Sequence, residues 1–379
     1  MRVQRRQQDG GRSFDLLDDR DQPIAEVGGF LRHLSARGCS PNTVCAYAHD
    51  LLHFYEFLDL AGLTLDGFGP PESLALLEHL RRVPSRRPAR RLDLVLATTA
   101  IDGGSTTRLA AATVNRIFAA ISSFYEYLIV SGRLLTENPI QRRPDPALTR
   151  VSERHRPFMG ASSRQRPVRR VVRVKTIQRL PRPLDEDQVA ALLGSLDRWR
   201  DRAMVLLMLH GGLRPGEVLS LHLDDVQYGR RRVIVRYHTD HPKGARTKSR
   251  TERLVDLHEP ATLEAVSAYV MNERPKDAHT PIVFLVGGQG VRRGEPLSYA
   301  ALVRLFQRRC DVLGIRKPWV TPHALRHTHA TRMWEGGMRE LSLQKRLGHA
   351  SPESTRIYTR VSDAAVVADY RQALARCDA

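Results

Sequence analysis

The sequence has few cysteines and no long apolar run. Its four cysteines, Cys39, Cys45, Cys310 and Cys377, show no C-x-x-C spacing, so they predict neither a disulfide framework nor a zinc site. No segment approaches the roughly 20 consecutive apolar residues of a membrane-spanning helix. The N-terminal segment is basic but lacks the apolar stretch of a secretion signal. We therefore expect a protein of the reducing cytoplasm.

Acidic residues are scarce relative to basic ones. The 379 residues include 60 Lys and Arg against 41 Asp and Glu, which gives a net charge of +19 and a pI of about 10.5. Such an excess is typical of proteins that bind a polyanion, with nucleic acid as the first candidate, although a basic, soluble surface remains the alternative. The sequence has no acidic cluster suited to Mg²⁺. It also lacks a P-loop, because the loop around Gly244 has no second glycine before Lys248.

The chain is long enough for two domains, each with its own core. Residues 1–20 are polar, so we expect a flexible tail. Residues 21–141 carry apolar side chains three and four positions apart, which predicts a helical domain. Residues 142–182 form a linker that is rich in arginine and weakly periodic, and both a solvated tether and a strap along phosphates fit it. Residues 183–379 form the second predicted domain.

Local signals within residues 183–379 predict a small sheet among helices. Arg230–His238 alternates and is rich in β-branched residues, which predicts a strand, and Thr251–Leu257 is its predicted partner. A basic loop joins them. Asp185, three residues before Gln188, predicts the start of a helix. The expected fold class is therefore α+β, mainly helical with a small antiparallel β-sheet.

The stretch His323–Tyr358 gathers side chains that can break and rejoin a phosphodiester. A Thr-Pro pair just before it predicts the start of a helix. His323 and Arg326 are three residues apart, so they lie on one face of that helix. His349 follows a turn at Gly348, and Tyr358 lies in the helix predicted after it. Together these residues supply a nucleophile, groups that transfer protons and a phosphate clamp.

Several motifs resemble one family. HALRH and the later LGHASPESTRIYTRV resemble the second box of the tyrosine recombinases, the phage-integrase and XerC/XerD-like family. GLRPGEVLSL resembles the first box, G-L-R-x-x-E-x-x-x-L. SPNTVCAYAHDLLHFYEFL and TVNRIFAAISSFYEYLIVSGRLLTENPI resemble the N-terminal core-binding domain. The resemblance implies a helical, SAM-like core-binding domain and a catalytic domain that form a C-shaped clamp around duplex DNA.

The resemblance implies a site-specific recombinase that cuts and rejoins duplex DNA through a 3′-phosphotyrosine, without metal, cofactor or ATP. Its catalytic residues would be Arg214, Lys248, His323, Arg326, His349 and Tyr358. In this assignment Tyr358 is the nucleophile, His323 its base and Lys248 the acid for the leaving 5′ oxygen. Lys243 lies in the same loop as Lys248, but its spacing to the second strand does not fit the family pattern. Glu217 would brace the site rather than react.

The same residues allow other interpretations. His327-Thr328-His329 can be read as the metal-binding His-x-His pair of a rolling-circle nuclease, with Tyr358 as nucleophile. HALRH also has the H-x-x-x-H spacing of zinc helices, but Ala324 stands where a metalloprotease has its general base. A non-catalytic DNA-binding accessory protein is a further alternative. A type IB topoisomerase would share the chemistry without the site preference.

The resemblance also implies partners. These are double-stranded DNA recombination sites, a homo-tetramer in the synaptic complex and further recombinases or accessory factors of the same element, in the nucleoid and away from membranes. The GARTKS loop, the long linker and the extended loop Val286–Leu297 favour an integrase or transposase of a mobile element over a dimer resolvase. The apolar side of the predicted helix Ala364–Ala375 can dock on a neighbouring protomer or pack on its own domain.

Overall fold

The computed structural model describes residues 1–8, 11–85, 108–144, 168–176, 182–238, 241–245, 252–349 and 355. The chain forms two compact units, Met1–Gln178 and Arg179–Ala379, and each has its own hydrophobic core. The predicted fold class, mainly helical with small antiparallel sheets, is confirmed. The finer domain bounds stay a prediction. None of the helices in the described ranges is both long and apolar enough to cross a membrane.

Helices form most of the described part of the first unit. They are α1 (Ala25–Ala36), α2 (Pro41–Ala61), α3 (Pro70–Arg82) and α4 (Ala111–Val130). α2 begins after Ser40, whose Oγ accepts a hydrogen bond from the Thr43 N–H at 3.1 Å. Phe30 of α1 and Phe124 of α4 are buried with ring centroids 5.4 Å apart. The apolar stripes read from the sequence therefore face a common core.

The N-terminal segment is a β-hairpin, so our expectation of a flexible tail over residues 1–20 is wrong. Strand β1 (Arg2–Gln8) pairs antiparallel with β2 (Gly11–Leu17). Phe14 and Leu16 are two positions apart, so both point to the same face of β2. Both side chains are buried in the core of the first unit. Val3 of β1 packs against the same core, so apolar side chains of both strands hold this largely polar segment in place.

Residues 142–144 and 168–176 of the predicted linker belong to the first unit rather than forming a solvated tether. Strand β3 (Arg142–Pro144) pairs antiparallel with β4 (Val168–Arg170). We call this pair the linker ribbon. Just after it, Val172 is buried in the core of the first unit. The sequence pattern missed the ribbon because its two short strands are far apart in the chain.

The second unit is built from short helices around a small sheet. Its α-helices are α5 (Glu186–Gly194), α6 (Trp199–His210), α7 (Pro215–Leu219), α8 (Pro260–Ala268), α9 (Tyr299–Val312), α10 (Pro322–Glu335) and α11 (Glu340–Leu347). Its antiparallel sheet has the order β5 (Val226–Gln227), β6 (Arg232–Val235) and β7 (Arg253–Asp256). Both predicted strands are therefore confirmed, with shorter bounds. The predicted helix start at Asp185 is confirmed too, since its Oδ1 accepts a hydrogen bond from the Gln188 N–H at 2.7 Å.

Helix α6 is the central element of the second unit. Its side chains from Ala203 to Leu209 are all buried, because it packs against α8 and α10. Helix α11 in turn packs on β7 and α10. The turn after α6 leads directly into the short helix α7. This arrangement brings α7, β7, α10 and the end of α11 to one place.

Candidate active site

Glu217 lies at the centre of a cluster of arginines. Arg214 precedes α7; its backbone N–H donates to Glu217 Oε2 at 2.8 Å and its Nη1 to Oε1 at 2.7 Å. Arg253 of β7 donates from Nη1 and Nη2 to the two oxygens of the same carboxylate, at 3.0 and 2.7 Å. Glu217 is 1% exposed. The geometry agrees with the bracing role expected of this residue.

The carboxylate of Glu217 stays ionised in spite of its burial. Burial alone raises its pKa, but the hydrogen bonds and charge of Arg253 and the charges of Arg214 and Arg326 lower the pKa to about 2. One negative charge thus faces three guanidinium groups. The cluster keeps an excess of positive charge, which suits a phosphate.

Arg326 of α10 is held by backbone carbonyls. Its Nη1 donates to Gly212 O at 2.5 Å and its Nη2 to Leu347 O at 2.6 Å, and Nη1 lies 3.9 Å from Glu217 Oε2. Gly212 has a φ of +62°, and a Cβ there would lie 2.5 Å from the His329 ring. Only glycine fits this turn. The turn after α6 therefore fixes the second guanidinium group beside the first.

The turn that leads into His349 is tied to the same cluster. Arg214 Nη2 donates to Gly348 O at 3.1 Å. Gly348 is left-handed, with a φ of +62°, and a Cβ there would lie 2.8 Å from Arg253 Nη1. His349 Nδ1 shares a hydrogen bond of 2.8 Å with Thr355 Oγ1. The packing thus brings His349 next to two guanidinium groups that lie far away in sequence.

His349 is neutral in the folded protein. Burial lowers its pKa first, and the positive charges of Arg326, Arg214 and Arg253 lower it further, to about 3. A neutral imidazole has one N–H donor and one acceptor nitrogen. His349 can therefore donate to a phosphate oxygen through one nitrogen without adding charge to the site.

The structure brings together some of the predicted catalytic residues. Arg214, Arg326 and His349 meet around Glu217. His323 lies on the first turn of α10 and is exposed. Lys248 and Tyr358 lie outside the described residues, as does the predicted helix Ala364–Ala375. The competing Lys243 pairs with Glu295 at 2.7 Å.

The His-x-His interpretation does not fit the geometry of His329. This residue is 2% exposed, and its Nε2 accepts a hydrogen bond from Arg346 Nε at 3.0 Å. Its Nδ1 therefore carries the proton and donates to Leu209 O at 2.9 Å. Both ring nitrogens are thus engaged within the protein, which leaves none to bind a metal ion. In the part of the chain that the structure describes, no cluster of three or more His, Cys, Asp or Glu side chains is placed to bind a metal.

Two supporting arginines went unrecognised in the sequence. Arg346 donates from Nη2 to His210 O and to Asp256 O, at 3.0 and 3.1 Å. Arg253 Nε donates to Arg346 O at 2.9 Å. A signal existed for Arg253, because it occupies an inward position of β7 while Leu254 points outward. A charged residue where the strand alternation calls for an apolar one indicates a buried polar network.

Comparisons with known proteins agree with this architecture. The family described as "Phage integrase family" matches residues 182–365, and "Phage integrase, N-terminal SAM-like domain" matches residues 27–132. Transposase A from transposon Tn554 of Staphylococcus aureus is 28% identical over 95% of this chain and 94% of its own length. Tyrosine recombinase XerD of Listeria monocytogenes is 28% identical over 89% of this chain and 93% of its own.

Solved structures share the fold at lower sequence identity. The integrase of transposon Tn1549 in complex with transposon right-end DNA superposes with a TM-score of 0.60, at 17% identity, over 92% of this chain and 99% of that one. The XerH recombinase bound to a palindromic difH substrate gives a TM-score of 0.58, at 18% identity, over 87% and 80%. The similarity covers both units of the chain.

Proposed function

Because the chain belongs to the phage integrase family of tyrosine recombinases, we propose that it cuts and rejoins duplex DNA at specific sites through a phosphotyrosine formed on Tyr358. The observation that carries the proposal is the arrangement of Arg214 and Arg326 around the buried Glu217, with His349 beside them. Three elements that are distant in sequence supply these groups. Such an arrangement concentrates positive charge where a phosphate can bind.

The arginines stabilise the charge that develops during transfer. Attack on a phosphodiester places negative charge on the non-bridging oxygens of the phosphorus. Arg214 uses two side-chain N–H groups within the described residues, on Glu217 and Gly348, and a guanidinium has five. Its remaining donors can meet a phosphate oxygen, and Arg326 adds a second positive charge. Because Glu217 holds Arg214 and two backbone carbonyls hold Arg326 beforehand, little reorganisation accompanies the reaction.

Proton transfer completes the mechanism. The Tyr358 hydroxyl gives its proton to His323, and the phenolate oxygen bonds to phosphorus. The bond between phosphorus and the 5′ oxygen breaks with its electron pair, and Lys248 protonates that oxygen. The 3′-phosphotyrosine conserves the ester bond, so the reverse step joins a 5′ hydroxyl without ATP. His349 donates a hydrogen bond to the phosphate in both directions.

The biological setting belongs to the same proposal. The relatives include a transposase and the neighbours include a transposon integrase, which supports integration, excision or transposition of a mobile element. Xer recombinases are equally similar in sequence, so dimer resolution is the second candidate. We expect the protein to act on the nucleoid in the cytoplasm. A tetramer on DNA is proposed too, since one neighbour is "a lambda integrase tetramer bound to a Holliday junction" with a TM-score of 0.52.

The test is a covalent adduct on denaturing gels. Duplexes from the DNA that flanks the gene carry a nick beside a candidate inverted repeat, so that the cut end diffuses away. We expect a protein–DNA band in EDTA with the native protein and with a Tyr370→Phe control, but none with Tyr358→Phe. Cleavage that requires a divalent metal would favour a metal-dependent nuclease. Tight binding without any adduct would favour the accessory DNA-binding protein.

A further inference from the structure

The linker ribbon places arginine opposite arginine. In its register Arg142 pairs with Arg170, and Arg143 pairs with Arg169. Like charges directly across from each other in an antiparallel pair destabilise it. Arg142 is partly balanced, since its Nη2 donates to Glu126 Oε1 at 2.5 Å and to Ser122 Oγ at 3.1 Å. The ribbon still keeps an excess of positive charge.

A cavity of about 370 Å³ opens beside the ribbon on the first unit. In the part of the chain that the structure describes, its lining residues are Asn115, Arg142, Arg169, Arg170, Val172 and Arg173. Four of these six side chains carry a positive charge, and the other two are uncharged. The lining alone therefore favours an anionic ligand.

Arg170 has a donor that the described part of the chain leaves unused. Its Nε is buried and has no hydrogen-bond partner among the described residues. Burial lowers the pKa of Arg170, and the charge of Arg142 lowers it further. A buried donor without an acceptor is unfavourable, and so is the repulsion between the two guanidinium groups. An anion in the cavity would relieve both.

Contacts within the first unit hold the segment that lines the cavity in place. Val172 is anchored in the core. The Asn115 side chain donates to Val174 O at 2.9 Å and accepts from the Val174 N–H at 2.8 Å. The Val171 N–H donates to Gln141 O at 2.9 Å. The segment that carries Arg170 and Arg173 is thus fixed to α4 and to the residue before β3.

We propose that this cavity binds a backbone phosphate of duplex DNA, with Arg170 as the central contact and Arg142 and Arg173 beside it. Guanidinium groups match the geometry of phosphate oxygens with paired hydrogen bonds. Arg143 is exposed on the same ribbon and outside the cavity lining, so positive charge continues beyond the cavity. A polymer of phosphates uses that extended charge, whereas a free phosphate ion does not. The proposal rests on the proposed function only in taking DNA as the partner.

The test measures equilibrium binding of the full chain to a short duplex of arbitrary sequence, in EDTA, over a series of salt concentrations. For Arg170→Gln we expect Kd to rise by about tenfold. The slope of log K against log salt should fall in magnitude by about 0.9, because the variant neutralises one phosphate fewer. The matched control is Arg20→Gln, which removes the same charge from an exposed position of the same unit. Equally weakened binding in the two variants would overturn the proposal, because a general charge effect would explain it.

Stability separates a binding role from a structural one. If Arg170 serves the ligand, the Tm of Arg170→Gln without DNA is equal to or higher than that of the native protein, because a repulsive pair is removed. A clear drop in Tm would mean that Arg170 supports the fold, and would overturn the proposal unless Arg173→Gln weakens binding at unchanged Tm. Arg173 is exposed, so its replacement disturbs no packing. Native binding by both variants would overturn the proposal outright.

A second arm uses inorganic phosphate at constant ionic strength. Phosphate at millimolar concentration should compete weakly with the duplex, and the thermal shift that it causes should be small. A large thermal shift that Arg170→Gln abolishes, with duplex binding unchanged, would make the cavity a free-phosphate site and overturn the assignment to DNA. An adduct on Tyr358 with no effect of Arg170→Gln on binding would overturn this contact and leave the recombinase standing. Weaker binding by Arg170→Gln together with no adduct on Tyr358 would overturn the catalytic proposal and leave this contact standing.

Discussion

The two units hold their arginines in opposite ways. In the second unit Arg253 donates two hydrogen bonds to the buried carboxylate of Glu217, and the Nη1 atom of Arg326 lies 3.9 Å from the same carboxylate. In the first unit Arg142 and Arg170 face each other across a ribbon, and the described residues that line the cavity beside them include no carboxylate. The arginines of the second unit thus share one buried counter-charge. In the ribbon Glu126 offsets part of the charge of Arg142, and an anion in the cavity would reduce the repulsion between Arg142 and Arg170 further.

Each arrangement suits a different task. A cluster that is already paired and hydrogen-bonded holds its donors in place before the substrate arrives, which is the requirement for stabilising a transition state. A ribbon in which arginines face each other is stabilised when an anion binds, which is the requirement for holding DNA. Substitutions in the two places should therefore have opposite effects on stability.

The largest effect is expected from Glu217→Gln. The change leaves Arg214, Arg253 and Arg326 without their buried counter-charge, and breaking a buried pair from one side costs about 3–5 kcal/mol. Calorimetry should show a strong drop in the Tm of the second unit. Glu264→Gln, at an exposed position, is the matched control and should leave the Tm within a degree or two, since exposed substitutions change stability by about 0.5 kcal/mol or less. An unchanged Tm for Glu217→Gln would contradict the central place of this carboxylate.

Arg326→Lys should slow cleavage without weakening DNA binding. A lysine keeps the charge but loses the planar fork, and removal of one preorganised donor typically costs about 10²–10³-fold in rate. Single-turnover adduct formation on a nicked duplex measures the change. The control is Arg332→Lys on the same helix, where the side chain pairs with the exposed Glu186. Cleavage at the native rate by Arg326→Lys would remove this residue from the phosphate site.

Acid should weaken the second unit through His329. Burial lowers the pKa of His329 first and the charge of Arg346 lowers it further, from 6.5 to about 3. Between these values the unfolded chain binds a proton that the folded chain does not, so the free energy of unfolding falls as pH falls below about 6.5. The destabilisation from this residue is about 2 kcal/mol at pH 5. Urea unfolding of native protein and of His329→Gln should show a shallower pH slope for the variant, and equal slopes would refute the assignment. His258→Gln, at an exposed position, serves as the control.

The smallest effect is expected in the ribbon. Arg143→Glu turns the like-charged pair with Arg169 into an oppositely charged one, which should stabilise the first unit by about 0.2–1 kcal/mol. Duplex binding should weaken at the same time. A matched Arg143→Gln variant separates the removal of repulsion from the new attraction. Lower stability in both variants would show that repulsion between the facing arginines does not destabilise the ribbon.

The sequence predicted the parts of the site that depend on local spacing. His323 and Arg326 lie on one helix, where a separation of three residues places them on the same face. Arg214 precedes a short helix that carries Glu217. These relations follow from helix geometry alone. Strands β6 and β7 could be predicted because the alternation of their side chains is local too.

The parts that failed depend on contacts between distant segments. The hydrogen bonds from Arg253 to Glu217 form only because β7 packs close to α7. The pairing of Arg142 with Arg170 depends on the register of two strands that are far apart in the chain. Neither follows from local periodicity. The N-terminal hairpin was not predicted for a different reason. Apolar residues alternate with polar ones only at Phe14 and Leu16 in β2, which is too short a pattern to indicate a strand among polar residues.

The decisive experiment identifies the amino acid that becomes attached to DNA. The covalent adduct is digested with nuclease and trypsin, and the nucleotide-linked peptide is sequenced by mass spectrometry. We expect the tryptic peptide Ile-Tyr-Thr-Arg, residues 357–360, with a nucleotide joined to Tyr358 through its 3′ phosphate. Attachment to another residue, or linkage through a 5′ phosphate, would contradict the mechanism.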